Sequence, residues 1–108
     1  MDFSIYQSAT ANTAVYGQDV ALVYTTLGLA SEAGEVAGKV KKAIRDNAGV
    51  VDDERRTQII DELGDVLWYA ARVADAINID LNEVARLNLE KLASRKQRGV
   101  ISGDGDKR

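Results

Sequence analysis

The sequence predicts an all-α fold, a bundle-like arrangement of four antiparallel helices. The chain of 108 residues contains no proline, so no residue forces a break in a long helix. Apolar residues make up 45% of the chain, and many are Ala, Leu and Val, a mixture that favours closely packed helices over a β-sandwich. They also recur at steps of three and four, the period of a helix that packs on another helix.

Two helices are predicted in the first half of the chain. The first covers about residues 3–16 and is rich in Ala and Thr. The second covers about residues 19–46, with Asn47 and Gly49 as a plausible stop. Its apolar seam follows the alternating steps of four and three: Leu22, Thr26, Leu29, Ala33, Val36, Val40 and Ala43.

The second half of the chain predicts two more helices. The third covers about residues 52–77, and the acidic residues in its first turn suit the positive end of the helix dipole. The fourth covers about residues 80–95, and Asp80 with Glu83 has the spacing of a capping box. The third helix also has an apolar seam: Ile59, Leu63, Val66, Ala70, Val73 and Ile77. Short links between the helices imply antiparallel neighbours.

The chain is expected to form one domain, residues 1–98, followed by a flexible polar tail, residues 99–108. A domain of this size buries a modest core, and two long helices leave apolar surface uncovered. We therefore expect a homodimer or homotetramer in which each subunit covers the exposed part of its partner's apolar seams. Neither a transmembrane span nor a signal peptide is recognised, which makes the cytoplasm the expected location.

The composition excludes several kinds of chemistry. The chain has no Cys, hence no disulfide, thiolate metal site or thiol nucleophile. It has no His, which removes Ser-His-Asp catalysis, His-bound zinc and an imidazole base. The net charge of -3 disfavours a basic surface, so polymeric nucleic acid is not an expected partner. No membrane partner is expected either, because no run of about 18 apolar residues exists. Any catalysis must use carboxylates, amines, guanidinium groups, hydroxyls and a hard metal ion.

Two acid pairs lie beside the apolar seams of the long helices. Glu32 and Glu35 form the first pair, and Glu62 and Asp65 form the second. Residues three apart are separated by about 4.5 Å along a helix axis, so each pair can reach one point. On antiparallel neighbours the pairs would bring four carboxylates together, and Mg²⁺, which prefers oxygen ligands, would relieve their repulsion. The alternative is a solvated acidic face, and the spacing alone leaves both interpretations open.

Four glycines flank these acids: Gly28, Gly34, Gly38 and Gly64. A glycine inside a helix costs about 0.8–1.0 kcal/mol relative to alanine. Something should offset that cost, such as a close approach of the two helices or room for a ligand.

Two segments resemble the MazG-like nucleotide pyrophosphohydrolases, which belong to the all-α nucleoside triphosphate pyrophosphohydrolase superfamily. They are residues 28–39, GLASEAGEVAGK, and residues 61–69, DELGDVLWY. The family signature is ExxE, a long spacer and ExxD, in that order. Residues 88–95, NLEKLASR, resemble the last helix of the family, and the resemblance as a whole covers about residues 17–99.

The resemblance implies hydrolysis of a nucleoside triphosphate to the monophosphate and pyrophosphate. It also implies that the four acids of the signature, Glu32, Glu35, Glu62 and Asp65, bind Mg²⁺, for which Mn²⁺ could substitute. Glu35 is the expected general base, and Glu32 is the second catalytic carboxylate. By analogy the substrate is a deoxynucleoside triphosphate, with a purine slightly ahead of a pyrimidine.

Further residues are expected to contact the substrate. Tyr69 and Lys39 continue the acid stripes and could reach phosphate oxygens. The alternatives are a tyrosine packed at the bundle edge and an ion pair of Lys39 with Glu35. Three residues on one face of the fourth helix either reach the nucleotide across a subunit boundary or form a solvated basic face: Asn88, Lys91 and Arg95. The tail could fold over the substrate instead of remaining mobile.

Two other functions remain open at this point. A non-catalytic helical interaction module would use the seams only for oligomerisation, and it predicts no Mg²⁺ binding and no thermal shift with nucleotide. A phosphoribosyl-ATP pyrophosphohydrolase of histidine synthesis would keep the fold and change the substrate. A panel of nucleotides separates these possibilities.

Overall fold

The computed structural model of the chain describes all 108 residues and confirms the all-α class, with four helices and no strand. The helices are α1 (Phe3–Thr10), α2 (Ala21–Asn47), α3 (Asp53–Ala76) and α4 (Leu81–Gln97). Two short 3₁₀ turns, Ala11–Thr13 and Gln18–Val20, lie between α1 and α2. Each helix is too short or too polar to cross a lipid bilayer.

The first helix is shorter than predicted and ends at Thr10. Side-chain hydrogen bonds hold the residues that follow it against α3. Trp68 Nε1 donates to Thr13 Oγ1 over 2.9 Å, and Arg72 Nε donates to Tyr16 Oη over 2.9 Å. These bonds join residues more than 50 positions apart, so a local helix propensity could not have predicted where α1 ends.

The predicted helix starts of α3 and α4 are confirmed by their caps. Asp52 Oδ1 accepts a hydrogen bond from the backbone N–H of Arg55 over 2.8 Å. Asp80 Oδ1 caps α4 one residue earlier in its helix, by accepting from the backbone N–H of Asn82 over 2.8 Å. The capping box predicted at α4 does not form. The Glu83 N–H donates to the Asp80 backbone carbonyl rather than to its side chain, and the Glu83 carboxylate pairs with Arg86.

The helices α2 and α3 form an antiparallel pair and make the most extensive contact in the chain. The helix α4 packs to a smaller extent, against α1 and the end of α3. A small core at that junction contains Ala71, Ala74 and Leu81, with Tyr6 and Ile79 packed against it. The two long helices therefore position the acid pairs, while α4 extends away from them.

The face of α2 that packs on α3 differs from the predicted apolar seam. The buried α2 residues are Ala21, Thr25 and Ala43, and only Ala43 belongs to the seam. The seam residues Leu22 and Val40 keep 47% and 41% of their surface exposed. The small side chains allow the two helices to approach along the polar stripe, which leaves much of the apolar seam uncovered in a single chain.

Candidate metal and nucleotide site

Three of the four signature carboxylates meet between α2 and α3. One oxygen each from Glu32, Glu62 and Asp65 lies within 4.8 Å of the other two. Glu32 comes from α2, whereas Glu62 and Asp65 are one turn apart on α3. Glu32 and Glu62 are half-buried, and Asp65 is exposed, so solvent can reach the cluster between the two helices.

These residues fit a hard divalent cation. Mg²⁺ takes oxygens at about 2.0–2.1 Å, which places opposite ligands about 4.2 Å apart. The three carboxylate oxygens all lie within 4.8 Å of one another, a separation that one ion can bridge with little side-chain movement. The donor set is entirely anionic oxygen, the type that Mg²⁺ and Mn²⁺ prefer.

The charges of the cluster are poorly balanced within the chain. Burial raises the pKa of Glu32, and the nearby carboxylates of Asp65, Glu62 and Glu35 raise it further. The nearest paired cation is Lys39, whose Nζ lies 3.9 Å from Glu62 Oε1. Lys39 therefore contacts the opposite helix rather than forming the ion pair with Glu35 that was considered as an alternative.

Glu35 is the signature carboxylate that stays apart. It is exposed, one turn after Glu32, and does not belong to the three-carboxylate cluster. It is close enough for its charge to raise the pKa of Glu32. Its carboxylate is thus near the cluster without being held by it.

Tyr69 packs across the helix pair one turn beyond Asp65. A Cβ atom built on Gly28 would lie 2.5 Å from Tyr69 Cδ1 and Cζ, and closer still to Cε1. Gly28 therefore provides the space in which the Tyr69 ring lies. Burial raises the pKa of the Tyr69 hydroxyl, and Tyr24, Glu32 and Asp65 add to that rise.

Four aromatic side chains form a cluster next to the acids. The ring centroids of Tyr24 and Tyr69 lie 6.4 Å apart, and those of Trp68 and Tyr69 lie 4.9 Å apart. Tyr16 completes the cluster at 5.0 Å from Tyr24. Sequence reasoning did not identify Tyr16 and Tyr24. The available signal was the position of Tyr24 one turn before Gly28, the residue on which the Tyr69 ring packs.

The structure does not bring the predicted α4 residues into contact with the acids. Asn88 is exposed on α4. Lys91 Nζ and Arg95 Nη2 both contact Asp106 Oδ1, at 3.1 and 3.2 Å. Because α4 extends away from the α2–α3 pair, these three residues face a different environment from the acid cluster within one chain.

Comparison with known proteins gives two matches that agree with this geometry. Residues 23–100 match the family model described as the MazG nucleotide pyrophosphohydrolase domain. The Gene 37 protein of Mycobacterium phage L5 is 47% identical over 114 aligned positions, which cover the full length of both chains. No solved structure matches the chain significantly.

Proposed function

The chain belongs to the family of the MazG nucleotide pyrophosphohydrolase domain, and from that membership we propose that it hydrolyses a nucleoside triphosphate with the help of Mg²⁺. The products are the monophosphate and pyrophosphate. The observation that supports this most strongly is the meeting of Glu32, Glu62 and Asp65 between two helices, with one carboxylate oxygen of each within 4.8 Å of the others. Acids from both signature motifs meet there.

The roles of the acids follow from their placement. Glu32, Glu62 and Asp65 would hold the metal ion, which offsets phosphate charge and lowers the pKa of a water molecule. Glu35 joins the site from the edge, and its exposed carboxylate is free to accept the proton of the attacking water. The water oxygen forms a new bond to phosphorus, the α–β phosphoanhydride bond breaks, and pyrophosphate leaves with the electron pair.

Two residues next to the acids suit the phosphates. The Tyr69 hydroxyl can donate a hydrogen bond to a phosphate oxygen from one turn beyond Asp65. Lys39 lies 3.9 Å from Glu62, so a small movement of its flexible side chain would bring its ammonium group to an arriving anion. Both residues border the acid cluster rather than filling it.

The proposed substrate is a deoxynucleoside triphosphate, with a purine ahead of a pyrimidine. Tyr24 keeps 47% of its surface exposed at the edge of the aromatic cluster, so its ring can stack on a base. A purine presents the larger face and would bury more apolar surface on that ring. The separation along α2 from Tyr24 to Glu32 is about 12 Å, comparable with the span from a base to the outer phosphates.

The test is product analysis with a panel of ribo- and deoxynucleoside triphosphates, with and without Mg²⁺. We expect monophosphate and pyrophosphate that require the metal, and loss of most turnover in Glu35→Gln. The matched control is Glu54→Gln, an exposed glutamate in the first turn of α3, which should keep full activity. Diphosphate with orthophosphate would contradict the proposed reaction. Phosphoribosyl-ATP is added to the panel, and hydrolysis of that compound alone would replace the proposed substrate.

We further propose that the chain works as a homodimer or homotetramer. It exposes 7566 Å², whereas a compact monomer of 11.7 kDa exposes about 5,900 Å². Its radius of gyration is 16.6 Å, against about 13 Å for a compact chain of this length. The excess surface is about twice the roughly 800 Å² that a standard interface buries on each subunit, so it is large enough for such an interface. An apolar groove on α3, lined by Ile60, Leu63, Val66 and Leu67, offers such a surface.

Light scattering coupled to gel filtration measures the assembly directly. The chain is expected to elute with a mass of at least twice 11.7 kDa. Leu63→Glu, which puts a charge in the α3 groove, should shift it toward the monomer. Val15→Glu is the control, because Val15 is 94% exposed and outside that groove. A monomeric wild-type chain would exclude this assembly.

A further inference from the structure

The C-terminal segment, residues 99–108, folds back onto α4 as a compact loop. The chain reverses at Gly99, and the Val100 N–H donates to the Arg95 carbonyl over 2.8 Å. The Arg108 guanidinium closes the loop by donating to three backbone carbonyls, at 3.1, 2.6 and 2.9 Å. Gly103, with a φ of 133°, supplies a backbone conformation that other residues rarely adopt. The loop thus has a specific shape rather than an arbitrary path.

One acidic residue of this loop, Asp106, pairs with two cationic side chains of α4. Asp106 Oδ1 accepts hydrogen bonds from Lys91 Nζ at 3.1 Å and Arg95 Nη2 at 3.2 Å. Arg95 Nη2 also donates to the Asp106 carbonyl over 2.7 Å. Arg95 is buried, with only 6% of its surface exposed, whereas the Asp106 side chain is 81% exposed. The tail thus contacts the side chains of Lys91 and Arg95 through one exposed residue, Asp106.

The arrangement around Asp106 suits a phosphate group. An ammonium and a guanidinium that share one anionic oxygen are the donors that recognise phosphate oxygens. Hydrogen bonds from Lys91 and then from Arg95 lower the pKa of Asp106, because both cations stabilise its carboxylate. The tail thus presents an anion to a site whose chemistry accepts phosphate equally well.

We infer that Asp106 is an internal competitor for phosphate at Lys91 and Arg95, so that the tail docks when the pair is free and leaves when a phosphate group binds. This inference deepens the proposed function and rests on it, because the phosphate group would be that of the substrate or of the pyrophosphate product. It assigns the tail a regulatory role at the α4 cations.

The contact has the properties that reversible docking requires. The hydrogen bonds from α4 side chains to the tail all go to Asp106. Ion pairs with a largely exposed partner contribute little net stability, so a competing anion can replace Asp106. After release, Arg95 regains either water or a phosphate oxygen, and no buried charge is left without a partner.

The test uses inorganic pyrophosphate and the full chain without any divalent cation. Pyrophosphate is titrated into ¹⁵N-labelled protein, and the backbone amide signals of Gly103 and Gly105 report on the tail. Asp106→Asn removes the competing negative charge and leaves the backbone carbonyl that Arg95 also contacts. Asp104→Asn is the matched control, because it removes the same charge from the same loop and Asp104 bonds only to the N–H of Gly105. Lys91→Gln shows whether pyrophosphate binds at the cation pair.

In the wild type, pyrophosphate is expected to move the Gly103 and Gly105 signals toward their positions in Asp106→Asn. Asp106→Asn should bind pyrophosphate about tenfold more tightly if the tail is docked in about nine molecules of ten. Asp104→Asn should behave as the wild type, and Lys91→Gln should lose the binding. Pyrophosphate that fails to bind, binds without moving the tail, or binds equally in Lys91→Gln would overturn the inference. So would equal tightening in both tail variants.

Hydrolysis is absent from this experiment, so the two proposals can fail separately. If pyrophosphate releases the tail and no nucleotide is hydrolysed, the proposed function is wrong and the competition remains. If nucleotides are hydrolysed and the tail does not respond, the competition is wrong and the enzyme assignment remains.

Discussion

Asp65→Asn is expected to lower kcat/KM for nucleoside triphosphate hydrolysis by at least about 100-fold, because residues that merely orient metal ligands already cost about 10- to 100-fold. Asp65 supplies one of the three oxygens that meet within 4.8 Å, and the substitution replaces an anionic donor with a neutral amide. The folded chain should tolerate the change, since Asp65 is exposed and the loss of one negative charge relieves repulsion at Glu32. Steady-state kinetics measure the first effect, and thermal unfolding measures the second.

The same variant separates metal binding from folding. Mg²⁺ that binds the native chain raises its unfolding temperature, and Asp65→Asn should lose most of that rise. Asp61→Asn is the matched control: it is the same substitution on the same helix, at an exposed acid outside the three-carboxylate cluster. An equal loss of activity in both variants would indicate a general charge effect. Full activity in Asp65→Asn would remove that residue from the site.

Gly28→Ala should destabilise the chain by about 1–3 kcal/mol, the usual cost of forcing an extra carbon into a packed contact. The new Cβ would lie 2.5 Å from two ring carbons of Tyr69, a distance that real side chains do not tolerate. Either the ring must turn away or α2 and α3 must separate. Both outcomes would disturb Glu32 and Asp65, which lie one turn from this contact, so activity should fall together with stability.

Gly34→Ala provides the opposite expectation on the same helix. No atom lies within 4 Å of a Cβ built there, so the substitution gains helix propensity without a clash. Where no partner subunit or ligand covers this position, chemical denaturation should show a gain of about 0.8–1.0 kcal/mol. If Gly28→Ala were as stable as Gly34→Ala, the close packing of Tyr69 on α2 would be wrong.

Contacts within one chain account for only one of the four glycines that flank the acids. The cost of Gly28 is offset by the approach of Tyr69. Open space surrounds the would-be Cβ atoms at Gly34, Gly38 and Gly64, so packing within one chain gives no reason for them. A second subunit or a bound nucleotide near these positions would provide one, in agreement with the large exposed surface of the single chain.

Most of the fold could be predicted because its determinants are local. Apolar spacing and end signals indicated the helices, and Asp80 caps α4 as expected, while Asp52, predicted in the first turn of the third helix, is its N-cap. The end of α1 could not be predicted, since it depends on bonds from Trp68 and Arg72, more than 50 residues away. The prediction of which face of α2 packs on α3 was also wrong in part. Its seam residues Leu22 and Val40 stay exposed, because the small residues of the neighbouring stripe permit a closer approach to α3.

By itself the sequence determined the all-α class, the two acid pairs and their family, because helix period and residue spacing are properties of consecutive residues. The tertiary structure decided which acids meet. Glu32 joins Glu62 and Asp65 while Glu35 remains at the edge, since the packing of Tyr69 against Gly28 sets how the two helices face each other. It also decided the environment of Lys91 and Arg95, because the path of the tail back to α4 depends on contacts across the loop rather than on the period of a helix.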